Sequence, residues 1–385
     1  MWVRALFGVL SPAAEGHDRT VWEIVATARR SLDRRFPIDH DGGTAGSCHE
    51  KTPESRPSMR DIRVATAQFE HRNNDKAYNL SRVRALTRRA VEQGAEMVGF
   101  HECCLSGYTF LQHLDRDGVS AVAERVPDGP TVRALIDIAR QYGTVVTAGL
   151  VESDTAGRLY NCYVAVGPEG YLTSHRKLHT FITPYFTPGD TFNVIDVRGV
   201  KVGFLTCYDN NLPENVRITT LLGAEVIMMP HVTGCLPSVM PGRGTVERAL
   251  WENRHRDPVR LRNEFQGPKG RGWLMRWLPA RAWENGIYAV FSNPIGRDDD
   301  TIKPGLSMIV DPFGEVLAES QALDDDVIVA LLTAEKIEQS SGRRYLRARR
   351  PELYGKLVAP PSPGQEPVTK PGWEMAHEVK GSAKD

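Results

Sequence analysis

Between residues 62 and 333 short apolar runs alternate with amphipathic stretches of helical period. That alternation restricts the chain to a layered α/β architecture. "IRVATAQF" (62–69), "EMVGF" (96–100), "TVVTAGLVE" (144–152), "KVGFLTC" (201–207), "EVIMMP" (225–230) and "DVIVALLT" (326–333) read as strands. "NLSRVRALTRRAVEQGA" (79–95), "TVRALIDIARQYG" (131–143), "PENVRITTLLGA" (213–224) and "LPARAWENG" (278–286) read as helices. Gly94 marks a helix end in the first of these. "NCYVAVGPEGYLTSHRK" (161–177) and "SMIVDPFGEVLAES" (307–320) read as hairpins around Pro-Glu-Gly and Phe-Gly turns. "IYAVFSNPIG" (287–296) reads as a strand followed by a turn.

The flanks differ. Residues 1–58 are rich in Gly, Pro, Ser and charge and hold no sustained period, so they predict a poorly ordered extension. A short helix over 20–34 is the one element expected there. The folded domain is expected over 59–351, with a Pro- and charge-rich tail over 352–385. Residues 234–277 look like an insertion without a clear strand. They hold eight arginines and one lysine against four acidic residues, a balance of +5, with Trp251, Trp273 and Trp277 interleaved.

Bulk properties narrow the function. The 385 residues carry a formal net charge of zero, so no global field favours nucleic acid or an anionic membrane. No apolar run approaches the roughly 20 residues that span a bilayer. The start, "MWVRALFGVLSPAAEGH", has too short an apolar core and no convincing cleavage site for a secretory signal. The six cysteines form no CxxC pair and no zinc-like spacing with histidine. Free thiols in a reducing cytoplasm are the expectation.

Three places can carry chemistry. In "GFLTCYDNNLPE" (203–214) a strand ends in Cys207, before a polar turn and a helix expected to start near Pro213. A thiol there is either a packed core cysteine or a nucleophile facing helix N–H groups. In "VGFHECCLSGY" (98–108) Glu102 directly follows a strand, which suits a general base or, alternatively, a capping or solvated carboxylate. Cys103 and Cys104 beside it lack the downstream turn and helix start that follow Cys207. In "SHRKLHTF" (174–181) Lys177 closes a hairpin, where it serves as an oxyanion donor or as a surface charge. His175 and His179 flank the lysine and raise a Cys–His pair as an alternative; in an extended chain they face away from it.

Glu after a strand, Arg-Lys-x-His after a hairpin and Cys-x-Asp-x-x-x-Pro-Glu after a strand resemble the nitrilase superfamily of carbon–nitrogen hydrolases. "ARAWENGIYAVFSNPIG" (280–296) and "GLSMIVDPFGEVLAE" (305–319) extend the resemblance over roughly 60–335. It implies a four-layer α-β-β-α sandwich with pseudo-twofold halves. It implies Glu102 as general base, Lys177 as oxyanion stabiliser and Cys207 as nucleophile, with the Tyr208 N–H as a second oxyanion donor. No metal or organic cofactor is implied. The expected partner is a small amide-type substrate, and the expected state a homo-oligomer.

One departure stands out. Many amidase members carry a further glutamate in the loop after the lysine, whereas "LHTFITPYFTPGDTF" has only Asp190 as an acid. Tyr208-Asp209 after the cysteine resembles amidase and carbamoylase branches more than nitrilases, which tend to show Trp-Glu or Gly-Glu. Asn210 and Asn211 stand near where D-carbamoylases carry carboxylate-holding arginines. They are candidate substrate contacts or plain turn residues. Glu214 is expected to cap the following helix. Arg254, Arg256, Arg260 and Arg262 are expected either in a lid over the substrate, in a subunit interface, or in a solvated loop. The expected activity is cleavage of a non-peptide amide or N-carbamoyl bond; nitrile hydrolysis, acyl transfer and a non-catalytic role are the alternatives.

Overall fold

The computed structural model describes residues 59–360 and 362; the expected 20–34 helix and the rest of the 1–58 extension lie outside them. The apolar runs form two six-stranded sheets. The first has the order β14-β1-β2-β3-β4-β5. Its strands are β1 (Ile62–Gln68), β2 (Met97–Gly99), β3 (Val145–Ser153), β4 (Leu159–Gly167), β5 (Gly170–Arg176) and β14 (Asp326–Leu332). The second has the order β13-β12-β9-β8-β7-β6. It comprises β6 (Val194–Val197), β7 (Val200–Phe204), β8 (Val226–Pro230), β9 (Tyr288–Ser292), β12 (Met308–Val310) and β13 (Val316–Glu319).

Each sheet has three parallel strands, β1-β2-β3 in one and β7-β8-β9 in the other, with antiparallel strands outside them. The strand period of two explains why the runs are apolar throughout. Ile62 and Val64 of β1, Val226 and Met228 of β8, and Tyr288 and Val290 of β9 meet in the core between the sheets. Their neighbours Ala65, Ile227 and Ala289 point the other way, to the helices. Helices α1 (Lys76–Glu92) and α2 (Pro130–Tyr142) cover the first sheet through Val83, Leu86, Leu135 and Ile138. Helices α3 (Pro213–Leu221) and α4 (Leu278–Asn285) cover the second through Val216, Leu278 and Ala282. The four α-β-β-α layers are therefore as the sequence predicted.

Three features differ from the sequence reading. A separate hairpin, β10 (Ile295–Asp298) with β11 (Thr301–Pro304), follows β9 where only a turn was expected. Short helices at Ala334–Gln339 and Ser341–Arg347 close the domain. The 234–277 segment is not a solvated loop. Helices at Arg248–Glu252, Pro258–Gln266 and Arg271–Leu274 bury Trp251, Leu261 and Phe265 against Ile295 and Ile302 of the hairpin. Its apolar residues are too sparse for a periodic signal, and Ile295, Ile302 and Leu323 from outside the segment complete this small core.

Gly149 on β3 shows how the fold makes room for chemistry. A β-carbon there would overlap the backbone nitrogen of Cys103 and crowd the carbonyl carbon of Glu102. The Glu102 turn thus rests directly on the strand. Gly149→Ala is expected to destabilise the domain by about 2 kcal/mol or more, the scale of an overpacked core. Urea unfolding measures this; an unchanged midpoint would mean that the turn yields freely.

Candidate active site

The strand ends bring the predicted residues together. Glu102 follows β2, Lys177 follows β5 and Cys207 follows β7. Both charged side chains are buried, with Lys177 at 1% exposure and Glu102 at 0%. Lys177 Nζ donates to Glu102 Oε1 at 2.7 Å and lies 3.4 Å from the Tyr108 hydroxyl. Asn161 Nδ2 donates to the same Oε1 at 2.6 Å, and the Val232 N–H donates to Oε2 at 3.1 Å. Three such donors fix the Glu102 side chain in position. Burial disfavours the Lys177 ammonium, but the negative groups around it, Glu102 first, leave its pKa raised.

Cys207 opens a 3-10 turn, Cys207–Asn211, and the helix expected near Pro213 follows it as α3, which begins at Pro213. The cysteine's φ of +53° is left-handed, a conformation that costs a non-glycine residue about 1 kcal/mol or more. Among the described cysteines it alone is not fully buried; Cys103, Cys104, Cys162 and Cys235 are. Burial and then the Glu102 charge push its thiol up to about 12, against the opposing pull of Lys177 and the Val232 backbone. The resting thiol is therefore protonated. Cys103, next to Glu102 in sequence, points away and donates to Asn161 Oδ1 at 3.3 Å.

Asp209 ties the lysine segment to the cysteine turn. Its buried carboxylate accepts from the N–H groups of Leu178 at 3.1 Å, His179 at 2.9 Å and Thr206 at 3.2 Å. His179 Nδ1 lies 2.8 Å and His175 Nε2 3.5 Å from it. Both histidines that raised a Cys–His pair are thus engaged with Asp209. Burial opposes the charge on Asp209, but the adjacent His175 and His179 hold the pKa well below the ordinary aspartate range. A depressed pKa contributes stability that is complete above the unfolded value, about 3.9, and is lost as pH falls below it. Asp209→Asn is expected to remove about 3 kcal/mol and to flatten the acid limb of the stability–pH curve. Unchanged acid unfolding in that variant would count against this role.

The other candidates divide. Tyr208 packs its ring edge-on against Phe181, with centroids 4.9 Å apart. Asn210 is buried, and its amide nitrogen donates to Leu205 O at 2.8 Å and lies 3.2 Å from His231 Nε2, so its side chain serves the turn. The carbonyls of Asn210 and Asn211 accept from Arg281 at 3.1 and 2.8 Å. Glu214 is exposed in the first turn of α3. Asp190 is exposed and accepts from Thr191, so it does not stand in for the loop glutamate. Phe181 occupies the loop's approach to the lysine, 5.8 Å from Nζ to ring centre. Ile182 beside it holds a φ of +67°, rare for a β-branched residue. Arg254 lies over Trp251 at 4.0 Å and Arg271 pairs with Glu319 at 2.9 Å, while Arg256, Arg260 and Arg262 are exposed. None of these arginines makes a hydrogen bond or ion pair with Glu102, Lys177 or Cys207.

The sequence profile of the carbon-nitrogen hydrolase family matches residues 63–341. The chain belongs to the carbon-nitrogen hydrolase family. An (R)-stereoselective amidase from a Pseudomonas species is 33% identical over 314 residues, 79% of this chain and 97% of the relative. A nitrilase from Pyrococcus abyssi is 31% identical over 272 residues, 70% of this chain and 88% of the relative. A solved amidase of Nesterenkonia sp. AN1 is similar in fold, with a TM-score of 0.57 at 23% identity over 79% of this chain and 98% of that one. As a carbon–nitrogen hydrolase the protein is an enzyme that cleaves non-peptide C–N bonds. Among the described residues no helix is long and apolar enough to cross a membrane.

Sequence reasoning missed Asn161, Asp209 as a clamp, and the Val232 N–H. Asn161 left a signal: an amide in the middle of the apolar strand "LYNCYVAVG" needs a buried partner.

Proposed function

We propose that the protein hydrolyses a small amide through a thioester on Cys207, with Glu102 as general base and acid and Lys177 as oxyanion donor. The observation that carries this reading is the buried Glu102, bonded to Lys177 at 2.7 Å, with its charge among the causes that raise the Cys207 thiol. Glu102 takes the Sγ proton as sulfur attacks the carbonyl carbon. Lys177 Nζ and the Tyr208 N–H hold the developing oxyanion. Collapse expels the amine, which takes the proton from Glu102. Water, deprotonated by Glu102, then attacks the thioester and releases the acid and the thiol.

Tyr208-Asp209 and the amidase relative support amide over nitrile hydrolysis. The Pyrococcus relative named nitrilase keeps nitriles as the second reading. The single hydrolase domain over 59–351, with flanking extension and tail, is supported by the span of the family match. Exposed Leu221 and Leu222 at the end of α3 and Trp283 on α4 support a homo-oligomer, and free thiols support a cytoplasmic setting.

An ammonia-release screen over amides, N-carbamoyl compounds and nitriles tests the reading, with amides expected to turn over. Native protein treated with iodoacetamide is expected to gain its first adduct on Cys207 and none on buried Cys162. Labelling of the two at equal rates would remove the nucleophile assignment.

A further inference from the structure

Asp298, the last residue of β10, is a buried carboxylate for which the reaction has no use; it is 1% exposed. Burial opposes its charge, but His71 first and then Lys303 hold its pKa well below the ordinary aspartate range. Lys303 Nζ, equally buried on β11, lies 3.7 Å from Oδ2 and supplies the counter-charge. A carboxylate in such a place persists only where its lone pairs are met.

The partners converge on one loop. Oδ2 accepts from Thr109 Oγ1 at 2.5 Å, and Oδ1 accepts from the Thr109 N–H at 3.3 Å. His71 Nε2 lies 3.2 Å from Oδ1, and His71 Nδ1 lies 3.1 Å from His101 Nε2. His101 directly precedes Glu102, and Thr109 directly follows Tyr108. The hairpin thus holds the loop that carries Glu102 and Tyr108 next to both residues.

Tyr108 is where this anchor meets the chemistry. Its hydroxyl accepts from Lys177 Nζ at 3.4 Å, and its ring centre lies 5.3 Å from the same nitrogen. An ammonium has three N–H donors. Glu102 takes one and Tyr108 a second; among the described residues Nζ has no further hydrogen-bond acceptor. The third N–H is left for an oxyanion, and its direction is set once the other two are fixed.

We propose that Asp298 is a positioning residue: by clamping Thr109 it fixes the Tyr108 hydroxyl, and through that hydroxyl it aims the third N–H of Lys177 at the developing oxyanion. This proposal rests on the amidase reading above. Lys303 then serves as the counter-charge that keeps Asp298 an acceptor. A lost aim is felt in kcat rather than in KM, because it matters only once negative charge develops on the oxygen.

The test is a double-mutant cycle on kcat for an amide, followed by ammonia release. Asp298→Asn and Thr109→Val are each expected to lower kcat roughly 10-fold, with KM within about threefold of wild type, since a displacement of an ångström far from the chemistry can cost up to about 100-fold. Tyr108→Phe, which removes the hydroxyl alone, is expected to lower kcat by a similar factor. The double variant Thr109→Val/Tyr108→Phe is expected to be no slower than the slower single variant, within about threefold, because both changes break the same chain of contacts. Losses that multiply in the double variant, or a wild-type kcat in Thr109→Val, overturn the proposal. Should Asp298→Asn fail to fold, Thr109→Val decides, because it removes one hydroxyl and no charge. Should wild-type protein turn over no amide and gain no acyl adduct on Cys207, the amidase reading falls, and the same cycle is read from iodoacetamide labelling of Cys207. Lys177 lowers the thiol pKa, so its displacement slows labelling. Slower labelling in both single variants with no further loss in the double variant keeps the clamp; unchanged labelling sinks it.

Discussion

Replacing Cys207 by alanine is expected to cut amide turnover by about four orders of magnitude or more, the scale on which other hydrolases lose rate with their nucleophile. Nothing nearby can take over. Cys103 is the nearest thiol in sequence to the base, but it is buried, turned to Asn161, and its pKa is raised well above the ordinary value by burial and by Glu102. The substitution should leave the fold intact. Alanine removes only the sulfur and keeps the left-handed backbone, while the turn's hydrogen bonds come from Thr206, Asp209 and Asn210. Purified Cys207→Ala should therefore unfold within about 1 kcal/mol of wild type, the range of a small local change. It should release no ammonia above background and gain no acyl mass. Residual turnover within tenfold of wild type would transfer the chemistry to another group.

Glu102→Gln gives the second large effect, and it separates thiol acidity from catalysis. With the thiol at about 12, only about one molecule in 10⁵ carries a free thiolate at pH 7. Attack on an amide then depends on proton transfer to Glu102 during the reaction. Glutamine cannot accept that proton, so turnover should fall about 10³-fold or more, within the range for loss of a general base. The thiol itself should become more acidic. Glu102 raises its pKa and Lys177 lowers it, so removing the carboxylate charge moves the thiol down. The pH at which iodoacetamide labelling of Cys207 rises should shift downward in the variant while amide turnover collapses. A labelling profile unmoved or shifted upward would show that Glu102 does not act on the sulfur. The cost in stability should be about 3 kcal/mol, since Lys177 would be left buried without its counter-charge.

Much of this site was legible in the sequence because strand ends are local features. Glu102 and Cys207 each follow an apolar run, Lys177 closes a hairpin, and a run that stops at a polar residue marks the edge of a sheet. The groups that position them were harder to see. Asp209 reads as a turn former, and its clamp on Leu178 and His179 spans 30 residues of chain. The Val232 N–H has no side-chain identity to read, and its bond to Glu102 crosses 130 residues. His175 and His179 offered a plausible pairing with sulfur, and only their packing on Asp209 gives them another role. The arginines of 234–277 suggested a lid from charge alone; Arg254 instead lies on Trp251 at the small core beside the β10–β11 hairpin.

By itself the sequence determined the layered fold and singled out Cys207, Glu102 and Lys177 as the proposed nucleophile, base and oxyanion donor. Period-two and period-3.6 patterns record burial on each element, and strand termini record where the sheets end. Only the tertiary structure decided the charge state and surroundings of those residues. Whether Cys207 rests as a thiol and which donors fix Glu102 depend on groups far apart in the chain. Hydrogen bonding and desolvation act over a few ångströms of space, whatever the separation in sequence.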